Sequence, residues 1–273
     1  MTTALTQAMT GANWQVAEQL WRLRLEIPRW VGPVPEPGQF IMLRVGDGDD
    51  PLLGRPFGIA GFWELGQGAS LEILYRVVGR GTQAMTGWPA GRVVRFLGPL
   101  GNGFPIPPEK SRSLLVAGGV GLPPLLALIR TMRAFGRESE VTLLYGEATA
   151  DRLLDLSIEQ DLDVDYQTCT EDGSCGMKGL VTDLLVNRKQ SDPYHLYVCG
   201  PNPMMKAVHG LCEGGCLTSH YSLESRMACG FGVCSGCAVN VGSEPENNYV
   251  RVCCEGPVFP GNVLTEESFR ETV

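Results

Sequence analysis

The hydrophobic and polar positions of this 273-residue chain follow a strand-like pattern in its first third. At 21–27, Trp, Leu, Leu and Ile alternate with Arg, Arg and Glu, which is the period of two expected of a half-buried strand. Short runs of similar character follow at 39–45, 57–62, 70–78 and 92–98, and clusters of Gly, Pro and Asp separate them. Several short strands at this spacing predict a small β-barrel or sandwich.

The pattern changes after a junction rich in Pro and Gly at 101–110. Continuous apolar runs, typical of buried parallel strands, now alternate with segments of helical character. The predicted strands lie at 112–117, 141–146, 194–200 and 217–222, the last strand of the chain, and the predicted helices lie at 123–135, 179–187 and 203–212. Gly136 is a candidate C-cap for the first helix. Strands that alternate with helices predict an open parallel α/β sheet.

Composition narrows the class of protein. The formal charge is −8 and Lys and Arg do not cluster, so a nucleic-acid surface is not expected. The N-terminal segment lacks a basic start followed by an apolar core, so no secretory signal is predicted. The longest uncharged stretch, 113–129, contains Gly and Pro residues that indicate a turn rather than a membrane span. We expect a soluble, cytoplasmic protein, in which ten cysteines favour metal or redox chemistry over disulfides.

Two segments of the α/β part are candidates for nucleotide binding. In Gly-Gly-Val-Gly-Leu-Pro-Pro, residues 118–124, a strand turns into a helix, and glycines there let a pyrophosphate approach the free N–H groups of the helix start. Pro123 and Pro124 suit a first helical turn. Cys199-Gly200-Pro201 ends another strand of the same sheet, where ligands of open α/β sheets gather. An ordinary tight turn and a buried structural cysteine explain each segment about as well when it is taken alone.

The β part has two further candidates. Arg55-Pro56-Phe57-Gly58 follows a loop, and Tyr75-Arg76 ends a strand before Gly81 and Thr82. An Arg can grip a pyrophosphate, and the Gly and Thr add backbone and hydroxyl contacts. By composition alone, surface arginines and a turn account for the same residues.

The strongest chemical signal is the spacing Cys229-x4-Cys234-x2-Cys237, with Cys253 and Cys254 further along the chain. C-x4-C-x2-C opens the plant-type [2Fe–2S] spacing, and the glycines between the cysteines allow a loop to turn its N–H groups towards sulfur. Structural zinc is the main alternative, although zinc usually takes two short-spaced pairs of ligands. A disulfide knot is a further one. Cys169, Cys175, Cys212 and Cys216 are interpreted as structural or incidental thiols.

Nearly the whole chain resembles the electron-transfer subunit of NAD-linked, two-subunit dihydroorotate dehydrogenases, within the ferredoxin reductase superfamily. The matching segments, in family order, are PGQF at 37–40, RPFGIA at 55–60, YRVVGRGT at 75–82, LGPLGNGFP at 97–105, GGVGLPPL at 118–125, CGPNPMMKA at 199–207, SLESRMACGFGVCSGC at 222–237 and VCCEGPVF at 252–259. LGPLGNGFP and the cysteine segments are the most specific of these.

The resemblance implies an antiparallel FAD-binding β-barrel at 1–108, an NAD-binding α/β domain at 109–222 and a [2Fe–2S] module at 223–273. It implies FAD contacts from Arg55, Pro56, Phe57, Gly58, Leu74, Tyr75, Arg76, Gly81 and Thr82. It implies nicotinamide-nucleotide contacts from Gly118, Gly119, Val120, Gly121, Cys199, Gly200 and Pro201. It implies cluster ligation by Cys229, Cys234, Cys237 and Cys253, the last preferred over Cys254 because it stands before x-E-G-P.

The resemblance also implies a partner and a reaction. An FMN-containing catalytic subunit would oxidise dihydroorotate for pyrimidine biosynthesis, in a heterotetramer with two chains of each kind. Hydride transfer moves two electrons and a [2Fe–2S] cluster moves one, whereas a flavin does both, so electrons would pass between the cluster, FAD and NAD. The chain has no paired catalytic carboxylates, nucleophile elbow or HExxH motif, and no catalytic residue is predicted.

The chain departs from the family at Gly58, where a Ser or Thr hydroxyl usually lies near the flavin N5, and its 242–249 stretch looks slightly expanded. These departures leave open a related FAD/[2Fe–2S] subunit that serves another redox partner, such as ferredoxin or a bifurcating complex. A third alternative is a zinc-bearing binding module. Glu147 follows a strand near where a 2′-phosphate would lie, which favours NAD over NADP, and a solvent-exposed loop Glu is the other interpretation.

Overall fold

The first half of the molecule is a closed antiparallel barrel. The computed structural model describes residues 5–46, 48, 50–136, 141–159, 162, 164–188, 193–212, 216–242 and 248–270. The barrel strands and its one short helix are β1 (Leu5–Ala17), β2 (Leu20–Ile27), β3 (Phe40–Leu43), β4 (Arg55–Leu65), β5 (Gly68–Arg76), α1 (Arg80–Thr86) and β6 (Val93–Leu100). Their order around the barrel is β1-β2-β5-β4-β3-β6, which confirms the predicted barrel.

The alternating pattern at 21–27 forms β2, and Leu23, Leu25 and Ile27 point into the barrel core. One residue of the expected polar face behaves differently, because Arg22 is also buried. The sequence did not indicate β1 as a strand. Its inward positions include Ala8 and Thr10, so no large apolar side chains mark the alternation.

The second half contains a seven-stranded sheet with helices on its faces. Its elements, with those of the C-terminal segment, are β7 (Arg112–Gly118), α2 (Leu122–Ala134), β8 (Val141–Glu147), β9 (Asp165–Thr170), β10 (Met177–Lys178), α3 (Val181–Asn187), β11 (Tyr194–Cys199), α4 (Asn202–Leu211), β12 (Cys216–Ser222), β13 (Ala238–Asn240), β14 (Tyr249–Arg251) and β15 (Val258–Pro260). The sheet order is β10-β9-β8-β7-β11-β12-β15, and β13 pairs separately with β14.

The predicted parallel sheet is confirmed for β7, β8, β11 and β12. The expectation that 217–222 is the last strand is wrong, because β15 follows it and pairs antiparallel with β12. Three residues are too few to show a strand period, which is why the sequence did not reveal β15. The sequence did not indicate β9 for a different reason: it is mostly polar and exposed over its first three residues, so it shows no alternation of apolar and polar positions.

The barrel and the sheet share a continuous core. Leu20, Ala60 and Leu74 of the barrel pack with the apolar face of α2 and with β7. The C-cap of α2 is Phe135 and not, as predicted, Gly136, which follows it with a φ of +60° and donates its N–H to the Arg133 carbonyl at 2.9 Å. No helix in the described ranges is both long and apolar enough to span a bilayer.

Candidate functional site

A cavity of about 370 Å³, here called the barrel–sheet cavity, lies where the two halves meet. Eight of the nine residues predicted to contact FAD line it: Arg55, Pro56, Phe57, Gly58, Leu74, Tyr75, Arg76 and Thr82. Gly81 is not among the lining residues and precedes Thr82 in α1. Pairing of β4 and β5 in the barrel brings the two sequence segments to one wall.

The opposite wall comes from the sheet. Val120, Pro123, Pro124 and Cys199 line it, so two residues predicted to contact the nicotinamide nucleotide face the same space as the predicted FAD residues. Burial raises the pKa of the Cys199 thiol, and the Glu224 carboxylate raises it further. Cys199 is therefore a neutral thiol at neutral pH.

Two side chains of the barrel wall are already held by local bonds. Arg55 donates through Nη1 to the Leu53 carbonyl at 2.7 Å. The Thr82 hydroxyl accepts from the Val78 and Gly79 N–H groups at 3.0 and 3.2 Å, and this shapes the turn that enters α1. Thr82 thus forms the turn at the rim of the cavity.

Arg76 differs from these residues because its partner lies in the other half of the molecule. Its guanidinium forms an ion pair with Glu147, and the two side chains are only 9% and 5% exposed. The Tyr145 hydroxyl donates to the same carboxylate at 3.3 Å. Burial raises the pKa of Glu147, while the Arg76 and Arg152 guanidiniums oppose that shift. The second guanidinium nitrogen of Arg76, Nη1, is buried without a hydrogen-bond partner.

A second cavity of about 500 Å³, the sheet-edge cavity, lies at the carboxyl ends of β7 and β8. Gly118, Gly119, Val120 and Pro201 of the predicted nucleotide site line it. Gly119 has a φ of +55°, the left-handed conformation that glycine adopts at little cost. The turn into α2 therefore exposes backbone to this space, as phosphate binding at a helix start requires.

The other predicted nucleotide residues have different positions. Gly121 is buried against the Cys199 carbonyl, so it serves the close contact between the β7–α2 turn and the end of β11. Cys199 lines the barrel–sheet cavity instead, and Gly200 lines neither space. Glu147 lines the sheet-edge cavity, but the interpretation as an exposed loop residue is wrong, since it ends β8 and is buried against Arg76.

The four predicted cluster cysteines fall into two pairs. The Cys234 N–H donates to the Cys229 sulfur at 3.5 Å, and the Cys237 and Cys253 sulfurs lie 3.3 Å apart. Burial disfavours the Cys229 thiolate, but hydrogen bonds from backbone N–H groups, Cys234 foremost, outweigh it and lower its pKa to about 6. A [2Fe–2S] cluster takes two thiolates on each iron, so this donor set fits it.

We call residues 229–237 the cysteine loop. It packs on the barrel, where a Cβ at Gly230, whose φ is +80°, would collide with Met42. Arg251 donates to the Gly232 carbonyl at 2.8 Å and so ties the loop to β14. Asn102, in the family-like segment that leaves the barrel, donates through its side chain to the Glu255 carbonyl at 2.9 Å. The segment after the fourth cysteine is therefore fixed to the barrel as well.

The other cysteines are not among the predicted cluster ligands. Cys254 is half-buried, and its sulfur is 3.7 Å from that of Cys253. All ten cysteines are free thiols. Across the described ranges, no three His, Cys, Asp or Glu side chains converge in the way that a single metal ion requires.

One part of the wall of the barrel–sheet cavity was not predicted from the sequence. Ser222, Leu223, Glu224, Ser225 and Met227 line it, together with Pro257. The signal was present, because the SLESRM segment directly precedes the first cysteine and belongs to the family-like pattern. A wall formed by this segment places the cysteine loop next to the cavity.

Comparisons with known proteins agree with this geometry. A family model described as the iron–sulfur cluster binding domain of dihydroorotate dehydrogenase B matches residues 224–265, and one described as an oxidoreductase NAD-binding domain matches 115–210. The chain is 38% identical to the dihydroorotate dehydrogenase B (NAD(+)) electron transfer subunit of Bacillus velezensis, over 91% of this chain and 94% of that protein. It is 38% identical to the same subunit of Geobacillus thermodenitrificans, over 89% and 92%.

Solved structures share the fold. An NADH-dependent reduced ferredoxin-NADP oxidoreductase, studied for flavin-based electron bifurcation, matches with a TM-score of 0.79 and 26% identity, over 98% of this chain and 92% of that one. Phthalate dioxygenase reductase, described as a modular structure for electron transfer from pyridine nucleotides to [2Fe–2S], matches with a TM-score of 0.65 at 18% identity, over 92% and 94%.

Proposed function

Because the chain belongs to the family of dihydroorotate dehydrogenase B electron transfer subunits, we propose that its barrel–sheet cavity holds FAD, its sheet-edge cavity holds NAD and its cysteine loop holds a [2Fe–2S] cluster. In this function the chain carries electrons between a catalytic subunit that oxidises dihydroorotate and NAD. The comparisons favour iron and sulfide over the zinc alternative, since the matching family model is an iron–sulfur one.

One observation carries the proposal: the cysteine segment forms part of the wall of the barrel–sheet cavity. Met227 lines the cavity two residues before Cys229, and Pro257 lines it four residues after Cys253. The Cys237 and Cys253 side chains belong to the same buried cluster as Phe40 of the barrel. Electron transfer between a cluster and a flavin requires that the two lie close together. A structural zinc site has no such requirement.

Within the complex, FAD supplies the conversion between one-electron and hydride transfer. The residues of this chain bind and orient. Arg76 offers an unpartnered buried Nη1 to an anionic phosphate, and the Phe57 and Tyr75 rings, 6.1 Å apart, form an apolar wall. Backbone N–H groups around Cys229 and Cys234 donate to sulfur and favour the thiolate forms that ligate iron. The domain limits 1–108, 109–222 and 223–273 remain part of the proposal.

The cysteine loop also supports a docking surface for the catalytic subunit. Phe231 and Val233 lie between the first two cluster cysteines and are 49% and 74% exposed. Apolar side chains at the edge of a redox centre suit a partner that must approach closely and exclude water. We propose that the FMN-containing subunit covers them in a heterotetramer.

Co-expression with such a catalytic subunit tests the function. The purified complex is expected to show flavin and [2Fe–2S] absorbance and to form NADH from NAD⁺ when dihydroorotate is added, whereas this chain alone forms none. In V233E, the complex is expected to dissociate while the chain keeps its cluster and FAD. V31E, which alters a residue of similar exposure in a barrel loop, is the control and is expected to leave the complex intact. A colourless, zinc-containing protein would refute the proposal.

Two observations favour a second candidate. The structure at 26% identity is a reductase studied for electron bifurcation, and this chain carries Gly58 where a hydroxyl is usual in the family. A related subunit with another redox partner would bind FAD and the cluster but would give no NADH from dihydroorotate in any complex. Reduction of ferredoxin by NADH in its native complex would support it.

A further inference from the structure

The Arg76–Glu147 ion pair joins the two halves of the molecule at the boundary between the two cavities. Arg76 is the last residue of β5 and Glu147 the last residue of β8, and they are 71 positions apart in sequence. Arg76 lines both cavities, while Glu147 lines the sheet-edge cavity alone. Among the ion pairs of the described residues, Arg76 of the barrel has one charged partner, and that partner is Glu147 of the sheet.

One terminal nitrogen of the Arg76 guanidinium has a partner, and the other has none. Its Nη2 contacts the Glu147 carboxylate, and its Nη1 is buried without a partner. A guanidinium presents its nitrogens in a rigid plane, so the position of Nη2 determines where Nη1 points. Because Nη1 has no hydrogen-bond partner and Arg76 lines the barrel–sheet cavity, an anionic group bound in that cavity would supply one.

We propose that Glu147 is a positioning residue for the flavin: from the dinucleotide-binding half, it holds the Arg76 guanidinium so that Nη1 faces the FAD pyrophosphate in the barrel–sheet cavity. The inference rests on the proposed function, since it assumes FAD in that cavity. It assigns Glu147 a role at the flavin site, in addition to any effect on the dinucleotide that the same carboxylate faces.

Loss of the Glu147 charge leaves Arg76 as a buried cation without a partner. Such a group is costly, so the side chain leaves its place or draws in water, and Nη1 no longer faces the cavity. Tyr145 and Arg152 are the other titratable groups beside this carboxylate, but neither Tyr145 nor Arg152 lines the barrel–sheet cavity. The effect on FAD therefore runs through Arg76.

The experiment measures the FAD dissociation constant of the intact holoprotein, from the flavin fluorescence released on dilution. E147Q is expected to bind FAD about tenfold more weakly, because one partner of a buried, hydrogen-bonded charge pair is removed. R76M weakens FAD binding directly. The double variant R76M/E147Q is expected to match R76M, because Glu147 has no effect once Arg76 is absent. The [2Fe–2S] absorbance of each variant reports that the chain is folded.

D50N is the matched control. Asp50 pairs with Arg80 of the same barrel at 3.1 Å, but both side chains are largely exposed, so the loss of this carboxylate is expected to leave FAD affinity unchanged. If E147Q does not fold, E147D takes its place: it keeps the charge but withdraws it by one methylene, and a smaller loss of FAD affinity is expected.

Three results would overturn the inference alone: wild-type FAD affinity in E147Q, or in E147D where that variant stands in; an equal loss in D50N; or additive losses in the double variant. The last would mean that Glu147 acts on the fold and not through Arg76. A wild-type protein that binds no FAD would overturn the proposed function, and this inference with it.

Discussion

Gly58 lines the barrel–sheet cavity at a position where the resemblance leads us to expect a hydroxyl. Its φ is not in the left-handed region, and a Cβ there would meet only the Pro124 Cδ, at 3.6 Å. Neither the backbone nor the space requires glycine, so its effect is the removal of a hydroxyl from the cavity wall.

G58S is therefore expected to fold with a free energy of unfolding within about 0.5 kcal/mol of the wild type and to keep FAD. The added hydroxyl is a hydrogen-bond donor at the flavin and is expected to shift its visible absorbance and its reduction potential, measured by a spectroscopic redox titration. G58A supplies the Cβ without the hydroxyl. An identical shift in G58A would show that volume, not hydrogen bonding, is responsible.

Cys253 and Cys254 form the second comparison at this scale. Cys253 is 2% exposed, and its sulfur lies 3.3 Å from that of Cys237, whereas the Cys254 sulfur lies beside Gly232. C253S is expected to lose the cluster, and C254S to keep it. Iron and acid-labile sulfide per chain, with the visible spectrum, measure the outcome. Retention of a full cluster by C253S would contradict the ligand assignment.

Spacing predicted Cys229, Cys234 and Cys237 as candidate ligands because they are close in sequence, whereas the resemblance was needed to choose Cys253 over Cys254. The Arg76–Glu147 pair could not be predicted in this way, since it joins residues 71 positions apart through the packing of two different sheets. The sequence predicted that Arg76 and Glu147 each lie at the end of a strand. Only the tertiary structure shows that the two strand ends lie together.

The β7–α2 turn is the element on which both cavities depend. Pro123 and Pro124 lie in the first turn of α2, where no intrahelical partner is lost, and both line the barrel–sheet cavity. Gly121 lies against the Cys199 carbonyl and so lets the turn approach β11. The sequence predicted this element correctly because glycines and prolines at a strand–helix junction have few other uses.

G121A is expected to lower the free energy of unfolding by about 2 kcal/mol, because its Cβ would overlap the Cys199 carbonyl and force the turn away from β11. Chemical denaturation measures this loss. G136A, at a φ of +60° with open space around it, is expected to cost about 1 kcal/mol from backbone strain alone. Equal losses in the two variants would argue against a specific collision at Gly121.

At the element scale, the predictable part of the fold consists of elements that bury an apolar face. The strands β2, β7 and β11 carry that pattern and were found. The strand β1 uses small or polar inward residues, and β15 has only three residues, so neither differs from a loop in sequence. The positions of β1 and β15 are determined by the strands with which they pair.

At the scale of the whole molecule, a buried ionic cluster joins the barrel to the sheet. Arg22 of β2 and Arg130 of α2 both contact Glu159 and Glu72, and Arg130 reaches Glu159 at 2.8 Å. The two carboxylate side chains are 1–2% exposed. This ionic cluster therefore holds the relative orientation of the two halves that form the barrel–sheet cavity.

E159Q is expected to lower the free energy of unfolding by about 3 kcal/mol, because it leaves two largely buried guanidiniums to share one carboxylate, that of Glu72. Differential scanning calorimetry is expected to show a lower transition temperature. E266Q removes one partner of the exposed Lys206–Glu266 pair and is expected to have no measurable effect. An unchanged transition in E159Q would mean that this cluster does not hold the halves together.

The strand β15 has a consequence for how this protein can be rebuilt. Both ends of the segment that carries the predicted cluster cysteines are anchored in the same sheet, because the chain leaves from β12 and returns through β15 to its flank. The cluster portion is thus an insertion within a continuous scaffold rather than a removable appendage. Transplanting it onto another reductase would need a recipient sheet whose edge accepts both β12 and β15, in the antiparallel register that pairs Ser222 with Val258.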